Sequence, residues 1–264
     1  MRSNPERPTR IVCPPAAASL ALAALLLFFP PLDATERPEA PPQLQRWSLE
    51  VVSGPSLGGP VGDLEAAMRA WGFGDTLNVC FFGCASIAHP VTYADVSDRT
   101  SSWGAVRHRL GRGTWHLGLG GGPSAFGSVE GYRESVGDRY VSVFVEAEAS
   151  VVTLAPMAWF DATRALRLGA GPALHRVDLR VSGAAGAQPV RSRSWKPGLV
   201  VEAALTVPVD TPVFFAAVAQ YRFSADATTA RWETTTYNGT RVELPATSVR
   251  VSHGFVALGI GGRF

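Results

Sequence analysis

This sequence predicts an all-β fold, a closed antiparallel transmembrane barrel of eight strands, and three observations lead to it. Beyond residue 44 the apolar residues recur with period two in eight segments, while helix-period spacing is confined to one short stretch. The connections between those segments alternate between short and long. Aromatic residues gather near the strand ends on the apolar face, as they do where a wall meets two lipid-water interfaces.

The chain begins with Arg2, Arg7 and Arg10, then an apolar run from Ala16 to Phe29, then Pro30, Pro31 and the small Ala34. That run has the length of a secretory apolar region and falls short of the ~20 apolar residues of a spanning helix. Residues 1–34 are therefore expected to be a Sec-type signal peptide. Cys13 precedes the run, whereas a lipoprotein cysteine would follow it. Residues 35–44 read as a Pro-rich linker and 45–264 as one folded domain.

Strands are expected at 45–54, 101–110, 114–126, 140–160, 166–179, 196–207, 213–224 and 248–264. Tight turns join the second to the third through Gly111-Arg112-Gly113 and the fourth to the fifth through Asp161-Ala162-Thr163-Arg164. Pro208-Val209-Asp210-Thr211-Pro212 joins the sixth to the seventh. The other connections, 55–100, 127–139, 180–195 and 225–247, are long and polar. Within the first of them, 63–72 reads as a short helix with Asp63 capping its start, Gly72 ending it, and Leu64, Met68 and Trp71 on one face.

Parity assigns the two faces. Trp47, Trp115, Trp159, Phe215 and Phe264 fall on the apolar face near the short-turn rim, with Trp103 and Trp195 near the other. The opposite face is small or charged. It carries glycines such as Gly118, Gly120, Gly169 and Gly171, and a candidate lumen network of Glu146, Glu148, Arg167, His175, Glu202, Arg222 and His253. An eight-stranded barrel has room inside only for side chains, so glycines would make space for long charged partners, which must pair with one another. A soluble lipocalin-like barrel shares the period but puts its apolar face inside; the glycine-rich charged face argues against an apolar cavity.

Cys80 and Cys84 share the first long connection, and an exported chain matures where disulfides persist. A local disulfide is expected. Two thiols without nearby histidine or carboxylate ligands make a poor zinc site, and no metal or cofactor motif is present: Gly118-Leu119-Gly120-Gly121-Gly122 is followed by Pro123, with no helix to hold a phosphate. The formal charge of +2, without a basic and aromatic patch, gives no reason to expect nucleic acid. Asn238-Gly239-Thr240 reads as a turn.

The final strand alternates through Val256, Leu258 and Ile260 to a terminal Phe264, which resembles the assembly signal of bacterial outer-membrane barrels, with Gly262 where that family usually has a large apolar residue. With the turn asymmetry and the aromatic positions, the whole of 45–264 resembles the small outer-membrane barrels of the OmpA, OmpX and OmpW kind. The resemblance implies short periplasmic turns, long extracellular loops, a bacterial outer-membrane location, a lipid environment and the barrel-assembly machinery as a partner in biogenesis. Because that fold hosts several activities, three roles stay open: a non-enzymatic anchor or surface-interaction barrel with a plugged lumen, a narrow channel or transporter for small solutes, and a lipid-modifying hydrolase. Ser252-His253 is the only hint of the last, without the histidine-x-serine motif of the outer-membrane deacylases.

Overall fold

The computed structural model describes residues 46–264 apart from 75, 81–83, 89–91, 94–98, 112, 136–137, 184–187, 210 and 236–240, and only the backbone at 76–80, 84–88, 92–93 and 133–142. The expected signal peptide, linker and Asn238 turn lie outside these residues. Eight long strands are present: β1 (Trp47–Gly58), β2 (Thr100–Arg109), β3 (Trp115–Ser135), β4 (Asp138–Asp161), β5 (Leu166–Gly183), β6 (Val190–Val207), β7 (Val213–Ser224) and β8 (His253–Arg263). Each pairs antiparallel with its neighbours, and the order β3-β2-β1-β8-β7-β6-β5-β4 closes through β3–β4. Over the stretch where all eight strands run, each strand is paired on both sides. Paired backbone bonds of 2.9 Å between Trp47 and Phe264 extend the β1–β8 seam.

Strand length is uneven around the ring. β3 to β6 run 18 to 24 residues, whereas β1, β2, β7 and β8 run 10 to 12. One flank therefore stands well above the other. The segments 127–139 and 180–195, expected as loops, mostly prolong β3 to β6 into this flank. Their polar residues are compatible with strand because above the lipid the outer face of the sheet meets water.

The low flank is covered by its connections. Helix α1 (Val61–Ala70) buries Val61, Leu64, Ala67 and Met68, and Phe73 follows them inward. Its N-cap is Pro60, without a side-chain cap. Asp63, expected as that cap, sits in the first turn and accepts from the Arg250 backbone N–H at 2.6 Å. Gly72, at φ +80°, ends the helix in the left-handed region, and the Phe73 N–H returns to the Met68 carbonyl at 3.0 Å. Between β7 and β8 the chain forms two small ribbons, Trp232–Thr235 with Arg241–Leu244 and Ala227–Thr228 with Ser248–Val249. Thr76–Cys80 and Cys84–Ala88 form a third, whose register sets Cys80 opposite Cys84.

The interior thus has two layers. In the upper, Val61, Leu64, Met68 and Phe73 meet Val143, Val145, Val177, Leu179, Trp232 and Leu244 in one apolar cluster. The lower, inside the membrane-spanning part, mixes Trp103, Trp159, Phe214 and Phe255 with buried charges.

Outside, the wall is apolar on every strand. Leu49, Val51, Val106, Leu117, Leu119, Val152, Leu154, Leu168, Leu174, Leu199, Val213, Leu258 and Ile260 are all exposed. On β6 this belt runs from Val207 to Trp195, about 30 Å along the normal at the usual strand tilt, which matches a hydrocarbon core. Trp47, Trp115, Phe160, Phe215 and Phe264 mark its lower edge, with Trp195, Tyr221 and Phe223 at the upper.

Two aromatic assignments are overturned. Trp159 and Trp103 point into the bore and are essentially unexposed, and Phe160 takes the outer-wall place expected of Trp159. On β4 both faces carry valine and alanine, so alternation gives no sign of which is inner, and the two faces are exchanged relative to the expectation.

Candidate functional site: the charged lumen

The same parity moves Glu146 and Glu148. Both lie on the outer surface of the tall flank, where Arg180 bonds Glu148 at 3.4 Å and the Ser182 hydroxyl reaches Glu146 at 3.5 Å. Arg167, His175, Glu202, Arg222 and His253 are inside and buried. Two residues that sequence reasoning passed over, Glu50 on β1 and Arg107 on β2, complete the network.

Glu50 is its centre. Arg107 makes a two-pronged contact with it, Nη1 to Oε2 at 3.1 Å and Nη2 to Oε1 at 2.9 Å, while Arg167 donates to Oε2 at 2.8 Å. Arg107 also lies 3.7 Å from Glu202, whose Oε1 accepts from the Trp159 indole at 2.9 Å and whose Oε2 accepts from Gln220 at 3.0 Å. Gln220 in turn accepts from Arg222 Nε at 2.7 Å, and Arg222 Nη1 donates to Ser124 Oγ at 2.8 Å. Every carboxylate in the bore thus has a cation or an N–H facing it, which buried charge requires.

The ring order makes this geometry informative. β1 and β5 stand opposite one another, as do β2 and β6, and β3 and β7. The Glu50–Arg167, Arg107–Glu202 and Ser124–Arg222 contacts therefore each cross a diameter of the bore. Arginines also stack on the buried rings: Arg107 lies 4.9 Å from the Trp159 ring centre, and Arg222 lies 4.9 Å from Trp103 and 4.7 Å from Phe255. Glycines make room for the indoles. A Cβ at Gly120 would overlap Trp103, and one at Gly169 would overlap Trp159.

Two hydroxyl–imidazole pairs occupy the upper part of this layer. His253 donates from Nδ1 to the Val251 carbonyl at 2.9 Å, which leaves Nε2 to accept from Ser124 Oγ at 2.9 Å. Ser124 accepts in turn from Arg222 and from Ser101, the latter at 2.7 Å. His175 is held likewise between Thr153 Oγ1 and the Phe223 carbonyl, both at 2.9 Å. Among the described residues no carboxylate orients either imidazole. Ser252, next to His253, accepts from the Ser224 backbone N–H at 2.9 Å and donates to the Ser224 carbonyl at 3.1 Å, so it bridges strands. Among the described residues no group of three or more histidine, cysteine or acidic residues could hold a metal ion.

The sequence signal for the missed pair was present. Glu50 has parity opposite to Trp47, Leu49 and Val51, and Arg107 shares the parity of the inward Ala105. Arg107 lies in the basic run Arg107-His108-Arg109 beside a turn, where charge is ordinarily solvated.

A closed ring with an apolar outer wall, aromatic edges and a charged bore is inverted relative to a water-soluble barrel. Only such closure lets strands cross hydrocarbon with every backbone group paired. The chain is an eight-stranded transmembrane β-barrel, with its tight turns at one rim and the tall flank at the other. No protein-family model matches the sequence, and no curated protein matches it. Among solved structures the chain is similar to a major outer membrane protein from Thermus thermophilus, at 9% identity and a TM-score of 0.47, covering 83% of this chain and 98% of that one. It is also similar to the outer membrane protease OmpT from Escherichia coli, at 8% identity and a TM-score of 0.42, covering 88% of this chain and 100% of that one. Neisserial surface protein A is similar at 10% identity and a TM-score of 0.40, covering 83% of this chain and 96% of that one.

Proposed function

We propose that this protein is a non-enzymatic outer-membrane anchor: a plugged barrel that holds its tall outer flank and its loops at the cell surface. The observation that carries the reading is the cross-braced lumen. Three diametral contacts fill the bore at the level of the membrane, and the apolar cluster beneath α1 and the ribbons lies above them. A solute would have to break buried ion pairs and then pass through a packed apolar layer.

The hydrolase reading is disfavoured by the state of Ser124. Its hydroxyl already accepts two hydrogen bonds and donates a third, and the residue is enclosed, so a substrate carbonyl has no approach. Insertion of the refolded chain into a planar lipid bilayer tests the proposal. The expected result is heat-modifiable barrel without stepwise conductance; regular single-channel openings would overturn it in favour of a narrow channel.

A further inference from the structure

The outer surface of the tall flank carries a groove that the plugged-anchor reading leaves unused. Its volume is about 460 Å³, and it opens where β3 breaks register against β4 between Ala125 and Ser128, with Gly127 at φ +71°. Ser150, Glu148, Asp178, Arg180 and Arg191 line it. Within it Arg180 and Arg191 stand directly opposite one another on β5 and β6. Like charges in that relation destabilise a sheet unless something negative lies between them.

The protein supplies only part of that compensation. Glu148 reaches Arg180 at 3.4 Å and leaves its buried Nε without a partner among the described residues, while Asp178 is engaged by Arg193 at 2.7 Å. Arg176, exposed and paired in register with Trp195, lies just below. These six charged groups are four arginines and two acids, a local excess of positive charge on a wall that faces outward. Glu146 lies one further step from the lipid.

Height decides the occupant. Val152 and Trp195 are the last apolar residues of the belt on β4 and β6, and Ser150 is two residues beyond Val152. Two residues of tilted strand rise about 5 Å, which puts the groove floor within the headgroup layer, about 5–8 Å deep, outside the hydrocarbon. An anion seated there would have apolar surface, Val152, Leu154 and Leu174, directly beneath it for acyl chains.

We infer that the groove is a binding site for the phosphate headgroup of an outer-leaflet lipid, with Arg180 and Arg191 as its paired ligands and the wall below receiving the chains. Native mass spectrometry of the refolded full chain in uncharged detergent tests this, with dipalmitoyl phosphatidic acid as probe and dipalmitoyl phosphatidylcholine and inorganic phosphate as comparisons. Phosphatidic acid should bind at least tenfold more tightly than the zwitterionic lipid, and R180Q/R191Q should lose that preference. E148Q, which frees Arg180, should bind it at least as tightly as the parent chain, and supplies a readout even if the double variant fails to fold. Equal binding of the two lipids, retention of the preference in R180Q/R191Q, or weaker binding by E148Q would overturn the inference. Saturation by inorganic phosphate at the same concentration would show an anion site without a lipid role and would overturn it equally.

Discussion

Substituting Glu50→Gln tests the lumen network most directly. The change keeps the shape of the side chain and removes the charge that faces both Arg107 and Arg167, at 2.8 to 3.1 Å. Two buried guanidinium groups would then share one neutral carbonyl and the more distant Glu202, 3.7 Å from Arg107. Removing one partner of a buried ion pair costs about 3–5 kcal/mol, chiefly because the remaining charge is left uncompensated. The amide still accepts one hydrogen bond, so about 3 kcal/mol is expected here. At a urea dependence of about 2 kcal/mol per molar the unfolding midpoint should fall by about 1.5 M. The assay is reversible unfolding in detergent micelles, followed by tryptophan fluorescence and by the gel shift of the folded barrel. Arg107→Met in the E50Q background should restore part of the loss, since it withdraws one unpaired cation. A midpoint within about 0.3 M of the parent for E50Q, or further loss on adding Arg107→Met, would refute the argument that charge balance in the bore governs stability.

Three other outcomes are expected. Gly120→Ala places a methyl against the Trp103 indole and should cost about 1–3 kcal/mol of overpacking, whereas Gly104→Ala, whose nearest neighbours lie at 3.9 Å, should be near neutral in the same unfolding assay. Leu119→Arg, half-way up the lipid face of β3, should cost about 2–4 kcal/mol, while Trp195→Arg at the upper edge should cost about 1 kcal/mol or less; equal costs would show that the belt has been misplaced. The backbone register that sets Cys80 opposite Cys84 is the spacing a disulfide needs, so thiol titration of the oxidised protein should find neither free, and a C80S/C84S variant should insert normally while the first loop becomes easier to cleave.

How much of this was legible in the sequence depended on what each strand faced. Where one face met lipid and the other a glycine-rich bore, as on β3 and β8, alternation placed every residue correctly: His116, Gly118 and Gly120 inward, Leu258 and Ile260 outward. β4 defeated the rule because its inner face passes from the charged layer to the apolar one, so Val145, Val151 and Leu154 lie on both sides. Glu146 and Glu148 were assigned to the lumen and Trp159 to the outer wall for that reason. The tall flank was hidden by chemistry of the opposite kind. Polar side chains outward, as at Asp178, Arg180, Arg191 and Arg193, are what a strand in water shows and also what a loop shows. Glu50 was legible by parity alone, but nothing in the sequence says that a residue on β1 will face one on β5.

That pairing across the bore bears on how the chain finds its register. A slip of two residues along any strand keeps every side chain on its proper face, so alternation between lipid and bore cannot detect it. Such a slip of β1 would bring Ser48 or Val52 to the level of Arg107 and Arg167 and strand both cations in a narrow space. The charges act as teeth that mesh in one setting of the ring only. They penalise the neighbouring settings that the hydrophobic pattern leaves equivalent, at the β1–β8 seam as elsewhere in the ring.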